Sequence, residues 1–141
     1  MGLFDKFKGA APLDINPRRA LAVSLIQCMG SDGEIDPEEV AHLVSVLGRN
    51  ATRDELNNCL KYARGTTPAA FLQEVTPKLN QQQRLCILLN MIDSAMADGE
   101  AEPGERDLIT QYQRAFGFDD ATMEPYFNAL VMKNERSVLD V

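Results

Sequence analysis

The sequence predicts an all-α protein, a compact helical bundle of about seven helices containing two pseudo-symmetric helix–acidic turn–helix repeats. Three observations carry this prediction. Apolar residues recur at helical spacing through every long segment, and no stretch sustains period-two alternation. Helix-start signals, a capping residue followed by proline, recur at Asn16-Pro17, Asp36-Pro37, Thr67-Pro68 and Glu102-Pro103. The eight residues 32–39 (D-G-E-I-D-P-E-E) return at an offset of 66 as residues 98–105 (D-G-E-A-E-P-G-E), five of them identical.

Residues 1–15 read as an N-terminal arm, 16–132 as a single helical domain and 133–141 as a polar tail. In the arm, Leu3, Phe4 and Phe7 share one side of a short helical turn, with Lys6 and Lys8 opposite. Two lysines and two turns are too little for stable membrane binding, so residues 1–9 give at most peripheral membrane contact. The first helix starts at Asn16-Pro17, and its run to Met29 is apolar nearly all round, as a central helix requires. Asp36-Pro37 starts the second, with Glu39 at the capping-box position, Val40, Leu43, Val44 and Leu47 as the inward stripe and Gly48 as stop. Thr52 with Glu55 caps the third, which buries Leu56, Leu60 and Ala63 and stops at Gly65.

Thr67-Pro68 opens a short fourth helix that ends at Thr76-Pro77. Asn80 caps a long fifth, with Leu85, Ile87, Leu88, Leu89, Met91, Ile92, Ala95 and Met96 on its apolar face. The sixth begins at Glu102-Pro103, presents Leu108, Ile109 and Tyr112, and closes at Phe116-Gly117-Phe118. Asp119 or Asp120 caps a last segment through Tyr126, Phe127, Leu130 and Val131, which Pro125 should interrupt. The repeat extends into the flanking helices, since Leu21/Ile87, Leu25/Met91, Ile26/Ile92 and Leu43/Ile109 pair at the same offset. Packing of the two hairpins about a pseudo-twofold axis would bring both acidic turns to one face.

Composition excludes several functions. The chain carries 21 acids against 14 Lys and Arg, a formal charge of −7, and no Lys or Arg between Arg19 and Arg49. Nucleic-acid binding through phosphates is therefore not expected, whereas cations or a basic protein partner suit the charge. Cys28, Cys59 and Cys86 have neither metal-site nor disulfide-framework spacing, which points to a reducing, intracellular location. No phosphate loop, nucleophile elbow or H-E-x-x-H pattern is present. His42 reads as packed or half-exposed, and Cys28 and Cys86 as small core residues. No enzymatic activity is expected.

The acidic turns admit two readings. Gly33…Glu39 and Gly99…Glu105 have the spacing of the second half of an EF-hand loop. The first two ligand positions, however, would fall on Cys28 and Gly30, or on Ser94 and Met96, so a standard calcium loop fails. A non-standard site remains, in which Asp32, Glu34, Asp36 and Glu39 offer oxygen ligands suited to Ca²⁺, Mg²⁺ or Mn²⁺. Capping is the competing account: Asp36 and Glu102 as caps, Glu39 and Glu105 as their capping-box partners. It leaves Asp32, Glu34, Asp98 and Glu100 unexplained.

The opening Met1-Gly2-Leu3-Phe4-Asp5-Lys6-Phe7-Lys8-Gly9 resembles the start of the tellurite-resistance TerB family. So do the paired turns around Ser31-Asp32-Gly33 with Glu38-Glu39 and Ala97-Asp98-Gly99 with Glu105, and the Phe116-Gly117-Phe118-Asp119 ending. The resemblance covers about residues 1–128. It implies a non-enzymatic, cytoplasmic bacterial protein, peripheral at the inner membrane at most, serving tellurite resistance or another stress response. It also implies chelation of a divalent cation (Ca, Mg, Mn or Zn) by Asp32, Asp36 and Glu39 with Asp98, Glu102 and Glu105. Gly104 stands where the first copy has Glu38, which weakens the second turn as a site.

Overall fold

A computed structural model describes residues 13–29, 35–97 and 103–140. Seven α-helices form among them: α1 (Pro17–Cys28), α2 (Pro37–Leu47), α3 (Arg53–Arg64), α4 (Pro68–Val75), α5 (Gln81–Ala97), α6 (Pro103–Phe116) and α7 (Asp120–Asn134). Short 3₁₀ turns follow α4 (Thr76–Lys78) and α7 (Arg136–Leu139). No strand occurs among the described residues, and the chain is all-α. It divides into two units between Lys78 and Leu79.

The first unit is built on α1, which packs against both α2 and α3. Seven of its twelve residues are buried, among them Ala20, Val23, Leu25 and Ile26, so its all-round apolar character reflects a central position. Ser24, the buried polar residue of this helix, donates its hydroxyl to the Ala20 carbonyl at 2.7 Å and is satisfied within its own turn. The helix starts as its sequence dictates: Asn16 Oδ1 accepts from the Arg19 N–H at 2.8 Å, with Pro17 in the first turn. Two arginines of α1 tie its neighbours down. Arg18 donates to the Val46 carbonyl at 3.0 Å, supplying a cation to the end of α2, whose last turn has no base of its own. Arg19 donates to Asp14 O at 2.7 Å and to Glu55 of α3 at 2.9 Å.

That ion pair corrects the expectation for α3. Thr52 caps the helix, accepting from the Glu55 N–H at 3.1 Å, but the Glu55 carboxylate turns to Arg19 rather than back to Thr52. A half-buried ion pair across two helices outcompetes a second bond in an exposed cap. Along the α3 stripe, Leu56, Cys59 and Ala63 are buried, while Leu60 is half-buried. On α2, Leu43 and Leu47 are buried but Val44 is 39% exposed. Tyr62 meets Phe71 of α4 edge to face, with ring centroids 6.1 Å apart, and donates its hydroxyl to Glu74 at 2.5 Å. Burial first, then the bond to Glu74, pushes the Tyr62 phenol well above its ordinary pKa.

In the second unit α5 packs against α6 and α7. Asn80 and Gln83 form a reciprocal capping box at the start of α5, each side chain accepting the other's backbone N–H at 2.8 and 2.9 Å. Ile87, Leu88, Met91, Ile92 and Ala95 are buried, as are Tyr112 and Phe116, whose rings meet edge to face at 5.6 Å. The helix α6 ends in a Schellman motif: Phe118 N–H bonds to Gln113 O and Gly117 N–H to Arg114 O, both at 3.1 Å. Gly117 takes φ +84° there. Asp119 is the cap of α7, accepting from Thr122 N–H at 2.8 Å.

Two expectations fail in this unit. Pro125 does not interrupt α7, which runs unbroken through Asn134. Proline at the sixth helical position removes one backbone bond, to the Ala121 carbonyl, and the surrounding ladder continues. Cys86 is exposed rather than in the core. Ile87 and Leu88 take the core positions of that turn, leaving Cys86 outside the stripe.

Candidate functional site

The acidic residues singled out in the sequence divide into two groups. Asp36, Glu39 and Glu105 are described; Asp32, Glu34, Asp98, Glu100 and Glu102 lie outside the described residues. The proximity expected of the two turns lies outside them as well.

At the start of α2 the local geometry is complete. Asp36 Oδ1 accepts the Glu39 N–H at 2.8 Å, and Glu39 Oε1 accepts the Asp36 N–H at 3.2 Å. This is the capping box that the D-P-E-E segment predicts, with Pro37 preset at the helical φ. Each carboxylate therefore commits one oxygen to the backbone. The second oxygen of each makes no hydrogen bond among the described residues. Asp36 is exposed and Glu39 half-buried, so the pair sits at the surface beside the positive end of the helix dipole. Glu105 is half-buried in the first turn of α6, the position matching Glu39. No cluster of three or more His, Cys, Asp or Glu arranged to hold a metal occurs among the described residues.

His42, expected to be packed or half-exposed, is exposed on α2. Cys28 and Cys59 are buried. Burial first, then the charge of Glu55, raises the Cys59 thiol to a pKa of about 11, with Arg19 opposing. Such a thiol is a poor nucleophile and a poor metal ligand.

Sequence reading missed two features of the second unit. Asp93 accepts from Lys133 Nζ at 3.1 and 3.2 Å and from Asn134 at 2.8 Å, clamping the end of α7 to α5. The Asn134 bond holds its carboxyl below the usual range against burial, the next largest effect, and the Lys133 bond with the charges of Lys133 and Arg136 adds to the lowering. A polar tail in sequence offers no sign of this contact. The second feature is a groove of about 920 Å³ walled by α5, α6 and α7. Phe127 and Val131, apolar residues of the last helical segment, line it and remain 48% and 42% exposed.

Helical hairpins with a capped, acidic helix start define the class: an all-α protein with carboxylates presented at the surface. The family model described as Tellurite resistance protein TerB matches residues 18–125, and the chain belongs to the TerB family. The resemblance read from the turns is thus borne out over the core of the chain. No curated protein and no solved structure matches it. No described helix is long and apolar enough to cross a membrane.

Proposed function

We propose that the chain is a non-enzymatic TerB module that binds a divalent cation (Ca²⁺, Mg²⁺, Mn²⁺ or Zn²⁺) through its acidic turns. Its setting is tellurite resistance or a related stress response in the bacterial cytoplasm, with residues 1–9 making at most peripheral contact with the inner membrane. One observation carries the reading. The capping box pins Asp36 and Glu39 side by side while using only one oxygen of each. Two carboxylate oxygens are thereby preplaced, and Asp32 and Glu34 precede them on the same short turn in sequence. Hard oxygen ligands at one end suit Ca²⁺, Mg²⁺ or Mn²⁺ better than Zn²⁺. In the second turn Asp98, Glu102 and Glu105 take the corresponding roles, with Glu100 in reserve.

Thermal melts with each ion against chelated protein test this directly. An ion at 100 times its dissociation constant stabilises the native state by about 2.7 kcal/mol. Asp36→Asn separates the two accounts of the turn, because asparagine caps a helix as well as aspartate does but carries no charge. In chelator the variant should melt within a degree or two of the parent, and the cation-induced rise should shrink. Gly104→Glu should strengthen the response by restoring the acid that the second copy lacks. If no ion shifts the melt, and Asp32→Asn with Asp98→Asn raises stability by relieving repulsion, the metal reading is wrong. The acidic turns would then serve as a docking surface for a basic protein partner without metal.

A further inference from the structure

We propose that the groove walled by α5, α6 and α7 is a docking site for a basic amphipathic helix of a partner protein. The floor is apolar and adaptable: Met96, Ile109, Met123, Phe127 and Val131 line it. Methionines suit a surface that must shape itself to another apolar face. The wall formed by α7 extends from Asp120 to Asn134 and continues to Glu135. At 1.5 Å per residue this is about 22 Å, four turns of a facing helix and more than a compact small molecule needs. Phe127 and Val131 are half-exposed on this wall, and Met132 beside them is 78% exposed.

The charge on the rim selects the sign of the partner. Asp120, Glu124 and Glu135 face the groove against a single base, Arg106. Of the two bases that follow on this wall, Lys133 is taken up in its ion pair with Asp93, and Arg136, whose charge also acts on Asp93, is absent from the groove lining. An apolar trough edged by carboxylates fits a helix with leucine-like anchors at i, i+3, i+4 and i+7, flanked by Lys or Arg. Rim charges of this kind steer and orient a partner, while the buried anchors supply the affinity. This site lies in the second unit and needs no cation.

Fluorescence anisotropy with labelled synthetic peptides of about 18 residues tests it. Three are compared in chelator, so that the result is independent of ion binding at the turns: an amphipathic Leu/Lys helix, a scramble of the same composition, and an amphipathic Leu/Glu helix. The Leu/Lys helix should bind at least about tenfold tighter than either control, and Phe127→Asp with Val131→Asp should abolish that preference. Both side chains are half-exposed, so the variant should fold, which circular dichroism checks. Glu124→Lys with Glu135→Lys should transfer preference to the Leu/Glu helix without touching the floor. Equal binding of the scramble, or binding that survives the Phe127/Val131 variant, overturns the proposal. So does a concentration-dependent dimer lost in that same variant, because the groove would then be closed by a second copy.

Discussion

Two residues show how local chemistry departs from what their types suggest. Glu55, which the spacing assigns to a cap, instead pairs with Arg19 and helps to keep the thiol of Cys59, one turn further on, protonated. The three cysteines should therefore react in two classes. Cys86, exposed, should be alkylated within minutes at neutral pH, while Cys28 and Cys59 react only on opening of the fold; mass-resolved labelling kinetics give the count. Asp93 makes a second prediction. Its folded pKa lies below the ordinary carboxylate value of about 3.9, so it contributes stability above that pH. That contribution disappears as pH falls through the folded value. Asp93→Asn should melt lower than the parent at neutral pH, with the gap closing in acid.

At the scale of elements, the ends of helices are the most local features and the most legible. Asn16, Asp36, Thr52, Thr67 and Asp119 each cap the helix that the sequence assigned to them. A cap needs only a side-chain oxygen and a backbone N–H three residues on, which the chain supplies within itself. Asp36→Ala should accordingly cost about 1 kcal/mol in chelator, in contrast to the near-neutral Asp36→Asn. Gly117 ends α6 at φ +84°, with no atom within 4 Å of where a Cβ would stand. Gly117→Ala should lower stability by about 1 kcal/mol through backbone strain alone, with Gly117→Asn less costly, as denaturant unfolding would show. Pro125 is the counterexample, a local breaker overridden within a continuous helix. Its α7 holds Met123 against the core and is clamped at its far end through Asp93, contacts that keep it helical past one missing bond.

For the molecule as a whole, a charge of −7 concentrated in two turns makes stability depend on ions in two ways. Monovalent salt should raise the melting temperature by screening, since the Debye length falls to about 10 Å at 0.1 M. A divalent ion bound at the turns should raise it further at equal ionic strength, and an equal rise would leave only screening. The sequence by itself determined the helix count, the helix starts and the family, because periodicity, caps and the repeated D-G-x₅-E turn are all short-range patterns. It also marked Asp36 and Glu39 as a reciprocal pair. Tertiary structure decided which parts of each apolar stripe are covered. Val44, Cys86, Phe127 and Val131 share spacing with core residues yet remain outside the core. A helical stripe records that a face is apolar, but only the neighbouring helices determine how much of that face is removed from water. The same reason hid the Asp93–Lys133–Asn134 clamp, whose members stand about 40 residues apart and meet only once α7 lies against α5.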